Sequence, residues 1–217
     1  MSEVYFITGT DTGVGKTAVA AALAQRHVAQ GRDVVYFKPV QTGVSTDEDG
    51  DAQFVAKAAD VPVFEGQRYR APLAPAEAAL QEDAIVPWNE LIERAGELAA
   101  IHEILLVEGA GGLLVPVDEG HTMADFAIAL TAALVVVAHP HLGTLNHTAL
   151  TLAFAARAGI PVDRLIICAW PSNPGLTERS NLRRLGNMTR TVELLTQVDD
   201  LDTARPSRVQ FELVPGA

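Results

Sequence analysis

The chain has 217 residues, 48% of them apolar and 20% charged, enough for one large globular domain with a sizeable core. A net charge of −11 argues against a nucleic-acid-binding face, and the most apolar stretch, Phe126 to Ala138, is shorter than the ~20 residues of a membrane span. The single Cys168, read as a small buried core residue, allows no internal disulfide, and with no signal-peptide pattern at the N-terminus a reducing, cytoplasmic setting is expected.

In chain order, Val4 to Thr8 reads as a first strand, and Lys16 to Gln30 as an Ala-rich helix with Gly31 at its C-terminal cap. Val34 to Lys38 is a second strand, which Pro39 is expected to close. Ala52 to Ala59 reads as helical. Val61 to Pro87, punctuated by Pro62, Pro72 and Pro75, shows little periodicity and is expected to be irregular. Helix returns over Asn89 to Ala100, and Ile104 to Val107 is a buried strand running into Glu108-Gly109-Ala110-Gly111-Gly112. Thr122 to Thr131 is helical, Leu134 to Ala138 a strand, and Thr144 to Ala158 a helix closed by Gly159. Leu165 to Ala169, Gly175 to Met188 and Val192 to Leu195 follow as strand, helix and last strand, and Asp199 to Ala217 carries no readable pattern.

This alternation predicts an α/β fold: a single doubly wound, mainly parallel sheet flanked by helices, with residues 1–217 forming one domain. Ligands of such sheets sit beyond the carboxyl ends of the strands. Three unusual segments fall at such ends: Gly9 to Thr17, Lys38 to Gly43, and Glu108 to Gly112.

The first of these, Thr8-Gly9-Thr10-Asp11-Thr12-Gly13-Val14-Gly15-Lys16-Thr17, lies between strand and helix, as a phosphate-binding loop must. Its spacing departs from the common one: Thr10 stands where the first Gly is expected. Gly9, Gly13 and Gly15 would let backbone N–H groups approach phosphate oxygens at the positive end of a helix. Lys16 would reach terminal phosphates and Thr17 would offer a hydroxyl to Mg²⁺. Lys38 would point into the same crevice and neutralise charge on a transferring phosphoryl group, where a bland reading makes it a solvated lysine. Glu108 occupies a strand end suited to a Mg²⁺ carboxylate, and the small residues after it leave room for a ligand. The run Asp47, Glu48, Asp49, Asp51 is either a solvated loop or the source of another Mg²⁺ ligand. Leu142 to His147 enters a helix, and its N–H groups suit a carboxylate and simple capping equally. His139, His141 and His147 lack a partner at metal-site spacing.

Together these segments resemble the dethiobiotin synthetase family, a branch of the P-loop nucleoside triphosphatases. The match runs through Thr8 to Thr17, Lys38-Pro39-Val40-Gln41-Thr42-Gly43, Val107-Glu108-Gly109-Ala110-Gly111-Gly112 and Leu142-Gly143-Thr144-Leu145-Asn146-His147, from the start of the chain to about residue 185. The unusual loop spacing is the family's own. The resemblance implies carboxylation and ring closure of 7,8-diaminononanoate with CO₂, driven by Mg²⁺ and ATP or another nucleoside triphosphate, in biotin biosynthesis. It implies that Lys16 and Lys38 contact the γ-phosphate and carbamate, and that Thr17, Asp51 and Glu108 hold Mg²⁺. Thr12, Gly13, Val14, Gly15, Glu108, Gly109 and Gly111 would surround the nucleotide, and Thr12 and Thr42 the diamine and carbamate. It also implies a homodimer in which the partner's loop, equivalent to Gly143, Thr144, Leu145 and Asn146, receives the substrate carboxylate.

Two positions depart from the family pattern. Gly13 stands where some members carry Glu. Ala169-Trp170-Pro171 replaces the Asn that reads adenine, so Trp170 is expected to stack on the base and relax base selectivity. A switch ATPase of the ParA/MinD kind is the alternative, but Asp11 stands where those proteins place a signature lysine, and no basic or amphipathic terminal segment offers attachment to DNA or membrane. A cobyrinate-type amidotransferase would require a further glutaminase domain, and a non-catalytic nucleotide-binding module would leave Lys38 and Glu108 without a task.

Overall fold

A computed structural model describes residues 2–196 and the strand at 211–214. The strands are β1 (Glu3–Gly9), β2 (Val34–Thr42), β3 (Val63–Tyr69), β4 (Ile104–Glu108), β5 (Ala133–Ala138), β6 (Val162–Trp170), β7 (Val192–Thr196) and β8 (Phe211–Val214). The helices are α1 (Lys16–Ala29), α2 (Asp51–Ala59), α3 (Pro75–Leu80), α4 (Trp88–Ile101), α5 (Met123–Ala129), α6 (Thr144–Ala158) and α7 (Leu176–Leu185). The sheet runs in the order β3-β2-β4-β1-β5-β6-β7-β8. Its first seven members are parallel, and β8 joins β7 antiparallel. β1 lies at the centre between β4 and β5, so successive crossovers leave it in opposite directions and open a crevice at its carboxyl end.

Parallel strands covered on both faces read as continuous apolar runs, and side chains alternate between two cores. Phe6, Phe37, Leu105 and Val107 belong to one core, which also takes residues of α4 and α5. Ile7, Tyr36 and Leu106 belong to the other, beneath the small side chains of α1 and α2. The same alternation carries Lys38 and Glu108 to the α1/α2 face, each two residues beyond a member of that core.

Three sequence expectations change. β2 does not stop at Lys38. Past Phe37 its pairing with β4 has ended and it continues along β3 alone, with Lys38 opposite Glu65 and Val40 opposite Gln67. Pro39 is tolerated because its missing N–H falls where the ladder is one-sided. The region 61–87, expected to be irregular, holds β3 and α3. β3 is the sheet's edge, so its half-buried, charged residues hide the strand periodicity. α3 begins with Pro75 at its first position, which suits a fixed φ. The third change is β8, in the segment with no readable pattern. Other boundaries hold within a few residues: Gly31 takes φ 75° after the Gln30 cap, and Gly159 closes α6 at φ 71°. Thr122 caps α5 through a reciprocal pair with Asp125.

Candidate active site

Strand register assembles the site. Ile7 lies opposite Glu108, and Phe37 opposite Val107, so the ends of β1, β2 and β4 deliver the glycine-rich loop, Lys38 and Glu108 to one place. Over them lies a cavity of about 760 Å³, bordered by Lys16, Thr17, Lys38, Asp51 and Glu108 and walled on another side by Pro72 to Pro75. That volume is within the range of small-molecule sites.

The loop is braced from beneath. Gly9, expected to open the backbone to phosphate, instead donates its N–H to the Gly111 carbonyl at 3.0 Å, and Thr10 donates to the Val137 carbonyl at 2.9 Å. A Cβ at Gly9 would fall 2.4 Å from the Asp11 carbonyl oxygen, so only glycine fits the turn. Gly15 has φ 96°, and a Cβ there would lie 2.2 Å from Cys168 Sγ. Cys168 is buried, as expected, and forms the floor on which the loop rests. Burial pushes its thiol up to about 11, which keeps it protonated and inert at neutral pH.

The charged cluster is tightly coupled. Lys38 Nζ donates to Glu108 Oε1 at 2.9 Å and pairs with Asp51 Oδ2 at 2.6 Å. Thr17 Oγ1 donates to Glu108 Oε1 at 3.0 Å, and the Tyr36 hydroxyl to Glu108 Oε2 at 2.8 Å. Burial disfavours the Lys38 ammonium, but Glu108 and Asp51 outweigh it and raise its pKa. Burial likewise works against the Asp51 carboxylate, and Lys38 outweighs it, holding the pKa below the usual range. Asp51 opens α2, where the Gln41 side chain accepts from its backbone N–H at 2.9 Å. Gln41 therefore ties the end of β2 to the start of α2.

Lys16 is different. Its ammonium is buried, donates to the Asp11 carbonyl at 3.3 Å and has no ion-pair partner among the described residues. Burial depresses its pKa despite nearby Glu108. A cation in that condition gains most from an arriving anion such as a phosphate. Two carboxylates paired with one ammonium, and a hydroxyl bonded to one of them, make a hard-cation set of oxygen donors that fits Mg²⁺.

Among the expected site residues, Thr12, Gly13, Gly15, Lys16, Thr17, Lys38, Thr42, Asp51, Glu108 and Gly111 border the cavity. Val14 is buried in the α1-side core. Gly109 lies under the cavity, where a Cβ would meet the Phe6 ring at 2.9 Å. Gly143 is the N-cap of α6 at φ 95°, Thr144 is buried, Leu145 half-buried and Asn146 exposed; none of the four borders the cavity of its own chain. Trp170 is the clearest departure. Ile166 and Cys168 face the α1-side core, and strict alternation would send Trp170 after them. Ala169 instead adopts φ 54°, the register with β7 shifts, and the indole turns into the opposite core at 6% exposure. It does not face the cavity, so stacking on a base would require it to leave the core. Tyr36 and Gln41 were not foreseen. Tyr36 could have been found from its place two residues before Lys38 on one strand face. His139 and His141 stack with ring centroids 5.5 Å apart, and the His141 N–H donates to His139 Nδ1.

Fold and loop together define a P-loop nucleoside triphosphatase. Solved structures of that architecture agree at the level of fold. A Borrelia burgdorferi plasmid partition protein bound to AMPPNP superposes with a TM-score of 0.59 at 12% identity, over 93% of this chain and 89% of that one. FlhF complexed with GMPPNP and Mg²⁺ gives 0.57 at 12% identity, over 99% and 71%. The switch-ATPase alternative has only this distant structural relation behind it. Within the architecture, a family model described as an AAA domain matches residues 3–207. ATP-dependent dethiobiotin synthetases are far nearer in sequence: that of Mycobacterium avium is 50% identical over 82% of this chain and 80% of its own length. Those of Saccharopolyspora erythraea and Streptomyces avermitilis are each 48% identical, over 86% and 84% of this chain and 83% and 78% of their own. The chain belongs to the dethiobiotin synthetase family.

Proposed function

We propose that this protein is a dethiobiotin synthetase of biotin biosynthesis, a cyclo-ligase that joins CO₂ to both amines of 7,8-diaminononanoate at the expense of ATP. The observation that carries the reading is the meeting of Lys16 and Lys38 with Thr17, Asp51 and Glu108 at one cavity, in a chain of this family.

One amine adds to CO₂ and releases a proton, giving a carbamate. A carbamate oxygen attacks the γ-phosphorus, and ADP departs. The second amine then attacks the carbamoyl carbon, and phosphate leaves with the oxygen that bridged carbon and phosphorus. No covalent bond to the enzyme is needed, so the protein acts by positioning and by stabilising charge. Lys16 meets the β- and γ-phosphates from within the loop. Lys38 reaches the carbamate and the transferring phosphoryl group. Thr17, Asp51 and Glu108 would hold Mg²⁺, which neutralises phosphate charge when bound. Thr12 and Thr42 line the diamine's side of the cavity. Gly143 to Asn146 lie away from their own cavity, and the exposed Leu142 and Leu150 beside them suit burial against a second copy. A homodimer would bring each copy's loop to its partner's substrate carboxylate.

The test follows ¹⁴C from bicarbonate into acid-stable product with Mg²⁺, ATP and the diamine. Acid destroys a carbamate and spares the cyclic urea. Diamine-dependent label is expected, falling about 100-fold or more in Lys16→Ala. Phosphate release that ignores the diamine, without label, would reject the synthetase reading.

A further inference from the structure

The two oxygens of Glu108 have different surroundings. Oε1 meets Thr17 and Lys38, whereas Oε2 accepts from the Tyr36 hydroxyl at 2.8 Å. Tyr36 is 0% exposed and belongs to the core beneath α1 and α2, so its phenol stands behind the carboxylate. Turning Glu108 to present both oxygens forward would break this bond and leave a phenolic hydroxyl unpaired where water cannot reach it.

We infer that Tyr36 is a positioning residue that makes Glu108 a one-oxygen ligand and so tunes this site for Mg²⁺ against Ca²⁺. The inference rests on the proposed metal role of Glu108. Mg²⁺ is small, demands near-octahedral geometry and is served by single carboxylate oxygens; Ca²⁺ accepts more ligands and readily takes carboxylates through both oxygens. A hydrogen bond that reserves one oxygen therefore penalises the larger ion more. Such outer partners commonly change metal affinity by about 10-fold to 100-fold.

The test displaces Mn²⁺, followed by its electron paramagnetic resonance, with Mg²⁺ or Ca²⁺ in the full-length protein carrying a non-hydrolysable ATP analogue. In Tyr36→Phe, which keeps the ring in its buried place, Mg²⁺ affinity is expected to fall about 10-fold while Ca²⁺ affinity holds or rises. Glu108→Asp, which draws the carboxylate away from an intact Tyr36, is expected to lose Mg²⁺ preference in the same direction. Unchanged preference in both variants, or equal losses for both ions as a merely loosened site would give, would overturn the inference. Wild-type protein that binds no Mn²⁺ with the analogue would instead remove the metal role of Glu108, and this inference with it.

Discussion

At the scale of single residues, Lys16 and Lys38 are both buried ammonium groups, yet their surroundings predict opposite consequences of removal. Lys38 neutralises Glu108 and Asp51. Lys38→Met is expected to cost about 3–5 kcal/mol in denaturant unfolding, because it leaves a buried carboxylate without its counter-charge. Lys16→Ala removes a desolvated cation held by one long hydrogen bond, so unfolding should change by less than about 1 kcal/mol while activity is lost. Asp51 adds a pH signature. Its folded pKa lies below the unfolded one, so its contribution is complete above the unfolded value of about 4 and fades as pH falls through the folded value. The stability gap between wild type and Asp51→Asn should accordingly narrow in acid, and a gap that widens below pH ~4 would contradict this.

At the scale of elements, the loop between β1 and α1 is shaped from outside. Gly15→Ala meets two obstacles, a left-handed φ and Cys168 Sγ, and is expected to cost about 2 kcal/mol or more. Adding Cys168→Ala should recover the packing part and leave the backbone part, which paired unfolding curves would separate. This contact also shows what the sequence could not disclose. The meeting of Lys16, Thr17, Lys38 and Glu108 at one cavity was legible because each sits at a strand end or in a glycine-rich turn, positions that the local pattern marks. The floor beneath Gly15 comes from β6, more than 150 residues away, and no local pattern announces it. Trp170 misled for a related reason: the left-handed Ala169 reverses the side-chain alternation, and alanine carries no sign that it will take that conformation. β3 escaped notice because an edge strand needs only one wet, partly charged face, and Val63-Phe64-Glu65-Gly66-Gln67-Arg68-Tyr69 looks like a loop until β2 lies beside it.

At the scale of the whole molecule, a second buried charge cluster sits at the end of the sheet opposite the cavity. Glu193 on β7 is buried at 2% exposure and receives both Arg26, in the last turn of α1, and Arg164, near the start of β6. Glu193→Ala should cost about 3 kcal/mol or more, because it removes the buried carboxylate that both guanidinium groups share, without altering kcat/KM at permissive temperature. The carboxyl ends of the strands hold the candidate site, and the synthetase reading proposed for it makes one claim about the order of bonds: the carbamate, and not water, takes the γ-phosphoryl group. The most direct measurement supplies C¹⁸O₂, quenches before exchange with solvent, and reads the isotopic composition of the released phosphate. One ¹⁸O per phosphate, with the other retained in the cyclic urea, is the predicted result. Phosphate carrying only solvent oxygen would mean that water attacks the nucleotide, and would contradict the assignment of this site as a synthetase.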